Sequence, residues 1–140
     1  MRDDIQQAII VRKDLGMSKG KLASQCAHAG EVFMRDIVAD MVLDDFMEET
    51  ETPRESEPFS EAEDAWIHGK CLPSRVLLWA EDEEHLKTLE QAAEKLGIYH
   101  RTLEDQGRTA FHGVPTVTTL IVGPALKTEI QVVTQNLKLI

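Results

Sequence analysis

Residues 14–31 read Asp-Leu-Gly-Met-Ser-Lys-Gly-Lys-Leu-Ala-Ser-Gln-Cys-Ala-His-Ala-Gly-Glu, shortly after an apolar run of β type, Ala8-Ile9-Ile10-Val11. Ser18 is a good N-cap residue, and the residues after it repeat with helical period. With Lys21 at the zero of a helical wheel, Gln25 and His28 fall within about 40° of it. Leu22, Cys26 and Phe33 form an apolar arc, continued by the small residues Gly20, Ala23, Ala27 and Gly30. This spacing predicts a helix whose small face lies close to a sheet and whose opposite face presents an amine, an amide and an imidazole. Any one of these polar residues alone is an ordinary feature of a surface helix. Two lysines in the first turn are not, because the helix dipole disfavours cations there. Lys19 and Lys21 therefore point to an anion at this end of the helix.

The rest of the chain alternates in the same way. Strands are expected at 7–12, 75–79, 100–104 and 116–122. Helices are expected from Ser18 to about Met41, over 61–68, after Asp82, and from Gly123-Pro124 onward, with the last residues docked as a strand or tail. Alternating strands and helices predict a single α/β domain: a mixed β-sheet with helices packed on both faces. A chain of 140 residues with 42% apolar residues is ample for one such core.

The net charge of −10 at first disfavours a nucleic-acid ligand. Its distribution reverses that reading. Residues 40–64 carry eleven acids and the single base Arg54, while the remainder carries fourteen of each sign and is neutral. Residues 44–62, broken by Pro53 and Pro58, read as an acidic, mobile insert in the domain spanning 1–140. Nothing approaches the roughly eighteen consecutive apolar residues of a membrane helix. The first residues lack the apolar core of a signal peptide. A cytoplasmic location follows as the expectation, with Cys26 and Cys71 as reduced structural thiols.

Several chemistries are excluded by spacing. Gly16-x-x-x-Gly20-Lys21 is one residue short of a phosphate loop, and Leu22 replaces the hydroxyl that would hold magnesium. Gly16-Met17-Ser18-Lys19-Gly20 spells Gly-x-Ser-x-Gly, but no nucleophile–histidine pair is visible, so a serine-hydrolase triad has no support. The histidines His28, His68, His85, His100 and His112 lack paired metal-ligand spacing, so no metal is expected. A second candidate site is the corner Asp105-Gln106-Gly107-Arg108-Thr109, which follows a short strand and gathers an acid, a guanidinium and a hydroxyl. On pattern alone, an Asp-x-Gly turn capping its own backbone is the commoner explanation of such a corner.

Together the two stretches resemble the archaeal and eukaryotic-type (type 2) peptidyl-tRNA hydrolases. The resemblance is carried by Met17-Ser-Lys-Gly-Lys-Leu-Ala-Ser-Gln-Cys-Ala-His-Ala29, Asp105-x-Gly-Arg-Thr109, Thr116-Val117-Thr118, Gly123-Pro124-Ala125 and Leu137-Lys-Leu-Ile140. It implies a four-stranded mixed sheet and hydrolysis of the ester joining a peptide to tRNA, with no cofactor. By matching positions it gives catalytic places to Lys21, Asp105 and Thr109, and lines the site with Lys19, Gln25, His28 and Arg108. The chain departs from the family pattern at Gln106, Ala110, Gln135-Asn136 and the acidic insert. Those departures keep a non-catalytic tRNA- or protein-binding module as the alternative. Self-association as a homodimer and a protein partner for the acidic insert are left open, and no membrane partner is expected.

The chemistry expected of these residues is direct attack by water. Asp105 orients or deprotonates the water if its surroundings raise its pKa. Thr109 holds the water or the ester oxygen, and Lys21 stabilises the oxyanion. Lys19 and Arg108 suit phosphate contacts at the rim. Lys21 and Asp105 are therefore expected at the same edge of the sheet.

Overall fold

The computed structural model describes residues 1–46, 58–108 and 111–140, with the side chains of 43–46 left out. Thr109, Ala110 and most of the acidic insert lie outside the described residues. In chain order the elements are β1 (Ile5–Arg12), α1 (Lys19–Phe46), α2 (Glu61–Ile67), β2 (Ser74–Ala80), α3 (Glu83–Lys95), β3 (His100–Asp105), β4 (Thr116–Leu126) and α4 (Lys127–Thr134). The sheet has four strands in the order β2-β1-β4-β3. β1 runs parallel to β2 and antiparallel to β4, and β3 runs antiparallel to β4. The expected mixed four-stranded α/β fold is the fold observed. A parallel β1–β2 pair needs a long crossover, which α1 and α2 supply.

Strand alternation sorts the core into two faces. Ala8, Ile10, Leu78, Ala80, Leu120 and Val122 meet Leu86, Leu89 and Ala93 of α3 and Ile130 and Val133 of α4. Ile9, Val11, Leu103 and Ile121 meet Ala29 and Val32 of α1 on the other side. Ile5 packs with Ala62 and Ala65 of α2. The helix ends follow their side chains. Asp82 accepts the backbone N–H of His85, and Ser60 with Glu63 forms a complete capping box at α2.

Two features differ from the sequence expectation. Gly123-Pro124 does not open a helix but lies inside β4, which runs on to Leu126. Gly123 sits at φ +94, beside a register shift between Gln6 and Ala8, and a Cβ there would lie 2.7 Å from Gln6 O. A Gly-Pro pair reads as punctuation in sequence, whereas here a bulge absorbs it.

The second difference is the rotation of α1. Its small residues Gly20, Ala23 and Ala27 face solvent, while Gln25 is buried. The helix therefore turns the Lys21–Gln25 face toward the sheet. Ala29, Val32 and Phe33 supply its packing further along, so the first turns can spend their inward face on polar groups. The last residues dock on the free side of β2. Trp79 N–H donates to Lys138 O at 2.9 Å, and Ile140 N–H donates to Leu77 O at 3.1 Å.

Candidate active site

α1 begins just beyond the carboxyl end of β1, where β3 also ends and β4 begins. Open α/β sheets gather ligands at such a place. Ser18 fixes the helix start, its Oγ accepting the N–H of Lys21 at 3.2 Å. That start sets the azimuth of Lys21, whose Nζ donates to Asp105 Oδ2 at 2.5 Å. The expected placement of Lys21 and Asp105 at one edge of the sheet is met. Both side chains are largely enclosed, at 16% and 14% exposure.

Asp105 is held from three sides. Besides Lys21, Gln25 Nε2 donates to Oδ2 at 3.2 Å, and Gly107 N–H donates to Oδ1 at 2.8 Å. The Asp-x-Gly turn anticipated from the sequence is therefore present, and it serves the site as well. A Cβ on Gly107, which has φ +75, would lie 2.6 Å from Val114 O. Only glycine lets the corner fold back this tightly.

Gln25 is itself fixed from behind. Thr118 on β4, fully buried, donates its hydroxyl to Gln25 Oε1 at 2.7 Å, with Thr119 Oγ1 3.1 Å away. An ionised carboxylate only accepts, so the amide must turn its NH2 to Asp105 and its oxygen to Thr118. In the sequence Thr118 stands only within the Thr116-Val117-Thr118 motif and was given no place in the site. Its signal was a hydroxyl at an inward position of an otherwise apolar strand.

The electrostatics correct one expectation. The Asp105 carboxyl is held below the usual carboxylate range, chiefly by the Lys21 hydrogen bond, helped by Gly107 N–H and Gln25. Burial pulls the other way and loses. The condition for Asp105 to be a strong base, a raised pKa, is not met. A cation in contact with a carboxylate outweighs partial desolvation.

An open cavity of about 650 Å³ adjoins this pair, lined by Leu15, Met17, Ser18, Lys21, Phe111 and His112 among others. The centre of the Phe111 ring lies 5.9 Å from Lys21 Nζ. Lys19 and Arg108 are exposed. His28 is not brought to this centre. It is exposed and lines a separate cavity of about 290 Å³ with Arg35, Asp36 and Arg101. There Asp36 accepts from Tyr99 at 2.6 Å and from Arg101.

The description "Peptidyl-tRNA hydrolase PTH2" belongs to the family profile that matches residues 5–140. The chain belongs to the PTH2 family. A peptidyl-tRNA hydrolase of Thermococcus onnurineus is 36% identical over 137 residues, covering 96% of this chain and 97% of the relative. Peptidyl-tRNA hydrolase 2 of Saccharomyces cerevisiae is 31% identical over 136 residues, covering 97% of this chain and 58% of the relative. The chain thus spans little more than half the length of such eukaryotic PTH2 relatives, and nearly the whole of the archaeal ones. Among the described residues no helix is long and apolar enough to cross a membrane.

Proposed function

We propose that this PTH2 domain hydrolyses the ester between a peptide and the ribose of tRNA, releasing free tRNA and peptide. The observation that carries the reading is the Lys21–Asp105 pair, 2.5 Å apart beside an open cavity. Its support from Gln25 and Thr118 is what a preorganised centre needs.

Asp105 acts as a carboxylate that orients the attacking water by accepting one of its O–H bonds. Lys21 is held by Asp105 so that it can also donate to the carbonyl oxygen as that oxygen gains charge. The water oxygen bonds to the carbonyl carbon. As the bond from the carbonyl carbon to the ribose oxygen breaks, the water's proton passes to that oxygen, and Asp105 stays a carboxylate throughout. Thr109 is assigned to hold the water or the ester oxygen. Gln25 supports Asp105 rather than touching substrate. Lys19 and Arg108, both exposed, are assigned to backbone phosphates, and His28, exposed farther along α1, is given no contact with the reacting bond.

All the groups named come from one chain, so the chemistry does not require a homodimer. The same reading puts the protein in the cytoplasm, where translation runs. The acidic segment, which RNA phosphate repels, is left to a protein partner.

The test is release of tRNA from N-acetylated aminoacyl-tRNA. Turnover by the unaltered chain, lost in Asp105→Asn and in Lys21→Ala, is the expected result. A chain that binds tRNA without turnover, or an Asp105→Asn variant of full activity, overturns the reading.

A further inference from the structure

We propose that Phe111 is a stacking platform for the terminal adenine of the tRNA, so that the cavity beside Lys21 receives the nucleoside rather than the peptide. The inference rests on the peptidyl-tRNA reading and specifies how that site holds its substrate.

The first observation is backbone geometry. Phe111 and His112 have φ of +59 and +52. Two consecutive non-glycine residues in the left-handed region are unfavourable and persist only where surrounding contacts impose them. Those contacts are present. Gly113 N–H donates to Gly107 O at 3.1 Å, and Val114 N–H donates to Phe111 O at 3.0 Å. The Gly107 corner that orients Asp105 therefore also sets Phe111. A phenylalanine needed only for packing would not require this conformation. Here it leaves the ring half-buried on the wall of a cavity of about 650 Å³.

The second observation is what surrounds the ring. Leu15 and Met17 supply apolar surface, and Ser18, Ser24 and His112 supply hydrogen-bonding groups. A Cβ built on Gly16 or Gly20 would meet nothing within 4 Å, so the space beside the helix start is open. This mixture suits a flat heteroaromatic ring with polar edges. Lys21 Nζ lies over one face of the ring, 5.9 Å from its centre, so a base stacked on the ring beside it lies next to an ester held at Lys21.

The third argument is chemical. An enzyme that clears peptidyl-tRNA meets peptides of every sequence, whereas the nucleoside carrying the ester is always adenosine. A rigidly held aromatic ring repays its strain only against the constant group. Stacking suits the task because it adds binding next to the reacting bond without requiring any particular peptide.

The experiment compares wild type, Phe111→Ala, Phe111→Leu and Phe111→Trp on N-acetyl-leucyl-tRNA and N-acetyl-glycyl-tRNA. Each is also tested on the same tRNAs with the terminal base removed and the ribose kept. For wild type, removing the base should lower kcat/KM roughly ten- to a hundredfold. Phe111→Ala and Phe111→Leu should show that loss already with intact tRNA, and should no longer distinguish the two tRNAs. Phe111→Trp should restore the distinction. The platform is overturned if Phe111→Ala still discriminates as wild type does. It is equally overturned if the penalty for Phe111→Ala grows from glycyl to leucyl substrate, because the peptide would then occupy the cavity.

Fluorescence of 2-aminopurine placed at the tRNA terminus separates this proposal from the catalytic one. If wild type gives no turnover, the hydrolase reading fails. Quenching on binding that is lost in Phe111→Ala would still support the platform, and absence of quenching in wild type would sink it.

Discussion

Lys21 Nζ and Asp105 Oδ2 meet at 2.5 Å although 84 positions separate them in the chain. Each is held by the start or end of a regular element: Lys21 by the Ser18-capped first turn of α1, and Asp105 by the last residue position of β3. Replacing either should therefore remove a positioned group without unfolding the sheet. Lys21→Met and Asp105→Asn are each expected to lower kcat on N-acetylated aminoacyl-tRNA by about a hundredfold or more. The double variant should lose little beyond the worse single one, because the pair acts as a unit. Additive losses would show that the two groups act independently.

The depressed pKa of Asp105 makes a pH prediction with a definite sign. Its folded-state value lies below the unfolded one, and Lys21 is the largest cause. The ion pair thus contributes stability above the unfolded carboxyl pKa, about 3.9, and loses it as pH falls through the lower folded value. Activity of the carboxylate form should follow the same limb. The acid side of the kcat/KM profile should extend below the ordinary carboxylate range, and Lys21→Met should move it upward. An acid limb near neutral pH in the unaltered chain would contradict the assignment.

Thr118 offers a test of the support behind the pair. It is fully buried and reaches Asp105 only through the Gln25 amide. Thr118→Val keeps the shape but leaves Gln25 Oε1 without that donor, at a stability cost of about 1–3 kcal/mol. The amide is then free to turn its oxygen toward the carboxylate. We expect kcat to fall on the order of tenfold, with KM little changed and the acid limb raised. Thr118→Ser, which restores the hydroxyl, should recover the wild-type profile. Equal behaviour of Ser and Val would show that only packing matters there.

Gly107→Ala should damage both halves of the corner. The new Cβ would lie 2.6 Å from Val114 O and 2.8 Å from Gly113 C, at a residue with φ +75. Urea unfolding should register a loss of about 1–3 kcal/mol. Activity should fall more than this stability loss explains, because Gly107 N–H also binds Asp105. A variant with wild-type stability would refute the close approach.

Much of the fold was legible because the local signals agree with it. The alternation of β1, the Asp82 cap and the Leu86, Leu89, Ala93 period of α3 each state their element without outside help. Lys19 and Lys21, which break the dipole rule at a helix start, marked one half of the site, but Asp105 came as its other half only through the family resemblance. The facing of α1 could not be anticipated. Counting apolar residues turns Gln25 outward, and only the distant acceptor Asp105 with the donor Thr118 makes its burial favourable. The sign of the Asp105 pKa shift was hidden for the same reason, since both burial and its cationic partner come from tertiary contact. The Gly123-Pro124 step misled because its bulge pairs with β1 rather than with its own neighbours. Thr109, given a catalytic place by resemblance, lies outside the described residues.

The docked tail bears on how this protein meets other chains. A sheet edge exposes N–H and C=O groups that can recruit a foreign strand. On β2 two backbone bonds to Lys138 and Ile140 occupy that edge, while Leu139 points 70% of its surface at solvent. The tail is gripped by its main chain rather than by its side chains. Residues 138–140 thus act as a stopper on sheet growth, and substitutions at Leu139 should leave it in place. Trimming these residues would uncover a strand whose first hazard is self-association at high concentration, well before any loss of the lysine–aspartate centre.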